Sequence, residues 1–327
     1  MPDGPVHKEF IKIPEIFGPK PMVVFCGDSI TRGEYSYNWV KHVRDIFRGK
    51  VDVYNEGYNS FTVENYIKLK AENIVNKYKN ATDIIVGLGT NCSNAEGRHP
   101  NNPKYNTQNF KENYIKLIKY FQEKLPNAKI AITTIPNISE DTTHPAYKLG
   151  LKYNEIIKEV AAETNVELLP AFELIQNEYK GEYQNDKLGL ANLKELDKVN
   201  KQEDKGQLYS ELGSISSEKF TNDFNLLKTK NPEIPESEII KLLVNSYIPK
   251  EESKEIKQKF KHTMFGEVAS MTKNIILHKL GWDYEKIARS GGYKKKVDEL
   301  HLNKSAKVFA ACATWFIKKN HPSIQTS

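Results

Sequence analysis

Met22-Val23-Val24-Phe25-Cys26-Gly27-Asp28-Ser29 places five apolar residues in a row ahead of a glycine, an acid and a serine. A strand with one wet face alternates apolar and polar residues. A strand covered on both faces reads as a continuous apolar run. The run at 22–26 is of the second kind and predicts a strand buried in a parallel sheet, with helices on either side. Gly27-Asp28-Ser29 marks the turn at its carboxyl end, where ligands bind in open sheets of this class.

The same rhythm extends outward along the chain. Strands are predicted at Val51–Tyr54, Asp83–Leu88, Lys129–Ile135 and Val166–Pro170, the second stopping at Asn55-Glu56-Gly57. Helices are predicted between them. One starts near Ser36 and carries Trp39, Val40, Val43 and Phe47 on one face; others span Thr62–Val75 (capped by Thr62), Phe110–Leu125 and Tyr147–Glu163. Strands and helices alternating at these spacings predict right-handed βαβ units in an α/β, three-layer αβα sandwich with a five-stranded parallel sheet.

From about Leu174 to Tyr293 the pattern stops. The segment reads as helical and polar, punctuated by Pro232, Pro235 and Pro249, with no convincing strand. Glu238–Tyr247 is apolar almost all round, through Ile239, Ile240, Leu242, Leu243 and Val244, and needs a partner surface. A last helix, Ser305–Lys319, carries Val308, Phe309, Cys312, Trp315 and Phe316. The expected organisation is an N-terminal extension at 1–20, an α/β domain built from 21–175 and 291–327, and a mainly helical insertion at 176–290 that acts as a lid or interaction subdomain.

Composition narrows the function classes. The chain has 327 residues, 39% hydrophobic and 28% charged, with a formal charge of +6 and a mean hydropathy of -0.61. A charge this small, spread over this length, does not favour nucleic acid. No stretch approaches the ~20 apolar residues of a membrane span, and Met1–Lys8 lacks a basic start followed by an apolar run. Three cysteines, Cys26, Cys92 and Cys312, have no metal-ligand spacing, and their odd number suits a reducing compartment. The expectations are a cytoplasmic protein, no metal and no cofactor.

The chemistry rests on groups delivered at the carboxyl ends of successive strands. Ser29 follows the first strand, Gly57 the second and Asn91 the third. A serine there can act as nucleophile; a glycine N–H and an asparagine amide can hold an oxyanion. Asp298-Glu299-Leu300-His301, ahead of the last helix, adds an imidazole base and a carboxylate able to orient it. Each group alone has a blander reading as a turn, a cap or a loop residue. Cys92 has no adjacent base to activate it. Of the other histidines, His42 falls in a helix away from the strand ends, and His7 and His321 lie near the termini. His262 and His278 belong to the insertion. His99 and His144 fall in loops at the active end and are read, with Asn94 and Arg98, as substrate-binding residues in the stretches 93–108 and 137–145.

Taken in order, these blocks resemble the SGNH (GDSL) hydrolase superfamily. Val23–Gly33 resembles its first block, Asn55-Glu56-Gly57 its second, Asp83–Asn91 its third and Asp298–Asn303 its last. The resemblance covers roughly 20–175 and 290–320. It implies a flavodoxin-like sheet, Ser29 as nucleophile, His301 as base and Asp298 as its partner. It also implies an oxyanion hole made by the N–H groups of Ser29 and Gly57 and the Asn91 side chain. The family often has Asp where this chain has Cys92, and a short connection where it has the insertion. The expected activity is serine esterase chemistry through an acyl-enzyme, leaning to short-chain or acetyl esters on a small-molecule or glycan carrier. The alternatives are a lipase or lysophospholipase acting on lipid, and a non-catalytic module binding a protein through the insertion.

Overall fold

A computed structural model describes residues 19–33, 36–180, 217–235, 239, 242, 287–288, 301–302 and 304–324. Five strands form one parallel sheet: β1 (Met22–Gly27), β2 (Asp52–Gly57), β3 (Asp83–Gly87), β4 (Lys129–Thr133) and β5 (Glu167–Leu169). Their spatial order is β2-β1-β3-β4-β5. The order reverses between β1 and β3, so the crevice at the carboxyl ends of these two strands is where the topology places a ligand.

Successive side chains of a strand point to opposite faces, and the continuous apolar runs fill both. Val23, Phe25, Val53, Ile85, Ala131 and Leu169 face one core, covered by α2 (Trp39–Ile46) and α10 (Lys307–Asn320). Val24, Cys26, Ile84, Val86, Ile130 and Ile132 face the other. That core is covered by α6 (Thr107–Lys124), α7 (Pro145–Thr164) and a helix running from α3 (Val63–Tyr66) through a π-helical turn (Ile67–Ala71) into α4 (Glu72–Lys77). Thr62 caps α3 as expected, its hydroxyl accepting from the Asn65 N–H at 3.2 Å.

Two expectations are corrected. The predicted loop after the third strand is largely helical: α5 (Thr90–Arg98), a 3₁₀ turn (Pro103–Tyr105), then α6. Asn55-Glu56-Gly57 does not end the second strand but belongs to it, paired with Phe25, Cys26 and Gly27. Beyond β5, α8 (Ala171–Lys180) starts in the α/β core through Phe172, Leu174 and Ile175 and runs past residue 176. Of the predicted insertion, α9 (Ser217–Lys230) is helical; most of the rest, and the extension at 1–18, lie outside the described residues.

The amino end of the sheet is fastened by one buried acid. Asp83, fully buried, accepts from Asn320 Nδ2 at 2.7 Å and Thr82 Oγ1 at 2.7 Å, and pairs with His321 Nε2 at 2.5 Å. The end of α10 is thereby tied to the start of β3.

Candidate active site

Ser29 is the first residue of α1 (Ser29–Arg32), a single turn directly after β1. Many bonds fix this turn. Asp28 caps it, Oδ1 accepting from the Ile30 N–H at 3.0 Å. The Arg32 N–H donates to the Asp28 carbonyl and the Gly33 N–H to the Ser29 carbonyl, each at 3.0 Å. Gly33 closes the turn at φ 73°, in the left-handed region that glycine adopts without a Cβ penalty. From α2, the Trp39 indole N–H donates to the Ile30 carbonyl at 2.9 Å, its ring held edge-on to Phe25 and stacked on Phe309. From β2, Asn55 Nδ2 donates to the Thr31 and Arg32 carbonyls at 2.9 and 3.3 Å.

His301 reaches this turn from the other end of the chain. Its Nε2 lies 3.0 Å from Ser29 Oγ, 272 residues away in sequence, and the pair is buried: Ser29 is 5% and His301 2% exposed. The next residue, Leu302, is fully buried in the core, and its carbonyl accepts from the Tyr37 N–H at 3.3 Å, which anchors the backbone beside the imidazole. A serine hydroxyl within hydrogen-bond reach of an imidazole is the arrangement that activates a nucleophile. Asp298 lies outside the described residues.

Asn91 sits on the first turn of α5, half-buried, with Nδ2 donating to the Phe61 carbonyl at 3.1 Å. An amide NH₂ has two hydrogens, so one stays available to a bound oxygen. Gly57 is different. Its N–H is committed to Asn55 Oδ1 at 2.9 Å, so the expected oxyanion donor is not free. The glycine is required for packing: a Cβ at 57 would stand 2.4 Å from the Arg32 nitrogen and 2.9 Å from the Asp28 carbonyl. The Asn55-x-Gly57 spacing, an Asx turn, was the signal for this bond.

The four polar residues read as substrate-binding lie on α5 and at the start of α7. Asn94 and Arg98 are half-buried on α5. His99 is exposed after its last turn, its ring 5.8 Å from that of Tyr105. His144 caps α7, Nδ1 accepting from the Ala146 N–H at 3.2 Å. A cavity of about 30 Å³ behind α5 is lined by residues including Val63, Cys92, Asn106, Phe110 and Tyr153. It has room for about one water and does not include Ser29.

Two acids shape the electrostatics. Burial pushes the Asp28 carboxyl up to about 6, against the Ile30 N–H, the nearby His301 and the Thr90 hydroxyl, which favour its charged form. Glu56, the residue before Gly57, is also buried, but hydrogen bonds from Tyr58, Tyr78 and Lys77 outweigh burial and hold it below the usual carboxylate range. Burial raises the Cys92 thiol to about 12, which removes it as a nucleophile. Among the described residues no cluster of side chains could hold a metal ion, and no helix is long and apolar enough to cross a membrane.

The GDSL-like lipase/acylhydrolase family model matches residues 25–189. Comparison with curated proteins returns no match. Among solved structures, an acetylxylan esterase from Geobacillus stearothermophilus is 17% identical, covering 50% of this chain and 81% of its own, with a TM-score of 0.42. A protein described as a GDSL-like lipase, from Parabacteroides merdae, is 19% identical over 50% of this chain and 85% of its own, also at 0.42. Likeness at that level carries no argument about activity.

Proposed function

Because the chain belongs to the GDSL-like lipase/acylhydrolase family, a family of carboxylic ester hydrolases, we propose that it cleaves esters through an acyl-enzyme on Ser29. The observation that carries this reading is the 3.0 Å contact between Ser29 Oγ and His301 Nε2. In the proposed reaction Oγ attacks the ester carbonyl while Nε2 takes its proton. The carbonyl oxygen becomes an oxyanion held by the Ser29 N–H and the second Asn91 amide hydrogen, each such donor being worth about 3 kcal/mol of barrier. Collapse expels the alcohol, protonated by His301. Water then attacks the acyl-serine by the reverse route, returning the acid and free Ser29. Asp298, three residues before His301, is assigned as its orienting carboxylate on spacing and family resemblance.

The proposed substrate is a short acyl ester on a polar carrier. A nucleophile only 5% exposed favours a small acyl group over a lipid chain. Asn94, Arg98, His99 and His144 offer polar contacts to the alcohol half. An ester panel graded by acyl length and alcohol, run on the wild type and on Ser29→Ala, tests both levels. The expected result is a rate maximum at acetyl or propionyl and no turnover by the variant. Activity only above a micelle threshold would replace the substrate reading with a lipase. Wild-type turnover by Ser29→Ala would remove the nucleophile.

A further inference from the structure

The loop between β2 and α3 carries a backbone outlier beside the site. Ser60 has φ 62°, in the left-handed region that a side chain disfavours. The other described residues at such angles are Gly33, Gly49, Gly89 and Asn165, the last capping α7. Glycine enters this region without a Cβ penalty and asparagine with a small one. Serine has neither advantage. The Phe61 N–H donates to the Tyr58 carbonyl at 3.3 Å, so residues 58–61 form a turn with positive φ at its third residue, a place that usually takes glycine. Both ends of this turn are tied to the site. At its start the Tyr58 N–H donates at 2.9 Å to the carbonyl of Gly27, two residues before Ser29. At its end the Phe61 carbonyl accepts from Asn91 Nδ2 at 3.1 Å. The Phe61 ring packs against Tyr58 and Tyr66, with centroids 5.2 and 6.3 Å away, and Lys70 Nζ sits 4.0 Å above the Tyr58 ring.

An asparagine amide has a donor end and an acceptor end, and a half-turn about its last side-chain bond exchanges them. Only the donor end stabilises an oxyanion; Oδ1 in the same place would repel it. A backbone carbonyl can only accept, so the Phe61 carbonyl selects the NH₂ end of Asn91 and rejects the flipped amide. We propose that Ser60 is a positioning residue of the oxyanion hole. Its left-handed backbone aims the Phe61 carbonyl at Asn91 and so keeps the donor end of that amide turned toward the substrate oxygen. Because the same turn hangs from the Gly27 carbonyl, the strand that delivers Ser29 and the amide on α5 share one reference. An outlying backbone angle held beside reacting groups is where such a cost serves pre-organisation. The inference rests on the reading of Asn91 as an oxyanion donor and deepens it.

The test uses the full chain and a soluble acetyl ester. Ser60 is exposed, so a larger side chain meets no core and the substitutions act on the backbone. Valine is β-branched and resists positive φ, whereas glycine adopts it readily. Ser60→Val is expected to lower kcat by about tenfold or more at nearly constant KM. Ser60→Gly is expected to stay within about threefold of the wild type. Asn91→Ala is expected to lower kcat by about 10²-fold or more. In that background Ser60→Val should cost little further, because no amide remains to be oriented; a residue that served only the fold would cost the same factor in both. Wild-type kcat in Ser60→Val, a loss carried mainly by KM, an equal loss in Ser60→Gly, or an undiminished loss beside Asn91→Ala would overturn the proposal. If Ser60→Val does not fold, Ser60→Thr, also β-branched, takes its place, and wild-type kcat there overturns it. Asn91→Ala alone separates the two levels. Wild-type kcat in it removes the reading beneath, and this inference with it. A slow Asn91→Ala beside a fully active Ser60→Val removes this inference only.

Discussion

Asp28 and Glu56 are both buried carboxylates at the carboxyl ends of neighbouring strands, yet burial wins at one and loses at the other. Glu56 collects the Tyr58 and Tyr78 hydroxyls and the Lys77 ammonium at 2.9 Å, while Tyr66 donates to its carbonyl at 2.8 Å. Its charge is compensated, and it ties β2 to α3 and α4. Among the described residues Asp28 has one well-formed hydrogen bond, from the Ile30 N–H at 3.0 Å, and burial pushes its carboxyl up to about 6. The difference separates frame from site. A buried charge that serves the fold is paired, and one left under-compensated is a cost that folding alone would not retain.

The largest effect concerns whether the site beside Asp28 works at all. His301→Ala should cut kcat by roughly 10⁴–10⁶-fold with an unchanged fold. Near-normal turnover in that variant would dissolve the distinction between the two acids.

The next effect is a stability difference of opposite sign at the two positions. The Asp28 carboxyl goes from 3.8 to about 6 on folding. Folding therefore favours its neutral form, and that contribution is complete below about pH 3.8 and lost as pH rises through about 6. The gap corresponds to about 3 kcal/mol, so Asp28→Asn should be more stable than wild type at pH 7–8 by up to about that much, and the gain should vanish below about pH 4. Glu56 runs the other way: its lowered carboxyl contributes stability above the unfolded value, and that stability is lost as pH falls. Glu56→Gln should cost about 1–3 kcal/mol at neutral pH and little in acid. Urea unfolding of both variants across pH measures this, and parallel pH profiles would contradict the comparison.

The smallest effect is at Trp39. Trp39→Phe removes the indole donor to the Ile30 carbonyl while keeping a ring against Phe25 and Phe309. It should cost about 1–2 kcal/mol by thermal melting and lower kcat slightly. An unchanged melting temperature would show that Asp28 holds the Ser29 turn without this brace.

The frame was more legible in the sequence than the site. β1, β3 and β4 announce themselves because burial on both faces demands continuous apolar runs, and Thr62 caps its helix by a local rule. The helix α5 was hidden. Asn91, Ser93, Asn94 and Gly97 show no apolar period and poor helix propensity, and the helix is held from outside, as where Tyr153 donates to the Cys92 carbonyl and to Glu96. The polar end of β2 was read as a turn because its strand character comes from pairing with β1. Ser29, Asn91 and His301 could be chosen from motif and order, and the local Asn55-x-Gly57 spacing carried a signal for the bond from the Gly57 N–H to Asn55. The contrast between Asp28 and Glu56 was out of reach, since Tyr78, which donates to the Glu56 carboxylate, lies 22 residues away in sequence.

The central claim, that Ser29 is the nucleophile activated by His301, is tested most directly by covalent labelling. The full chain is treated with a fluorophosphonate, and the modified residue is located by peptide mass spectrometry in the wild type, Ser29→Ala and His301→Ala. The account predicts one label per chain on Ser29 in the wild type, none in Ser29→Ala, and labelling slowed by orders of magnitude in His301→Ala. A label on another residue, or wild-type labelling rates without His301, would contradict it.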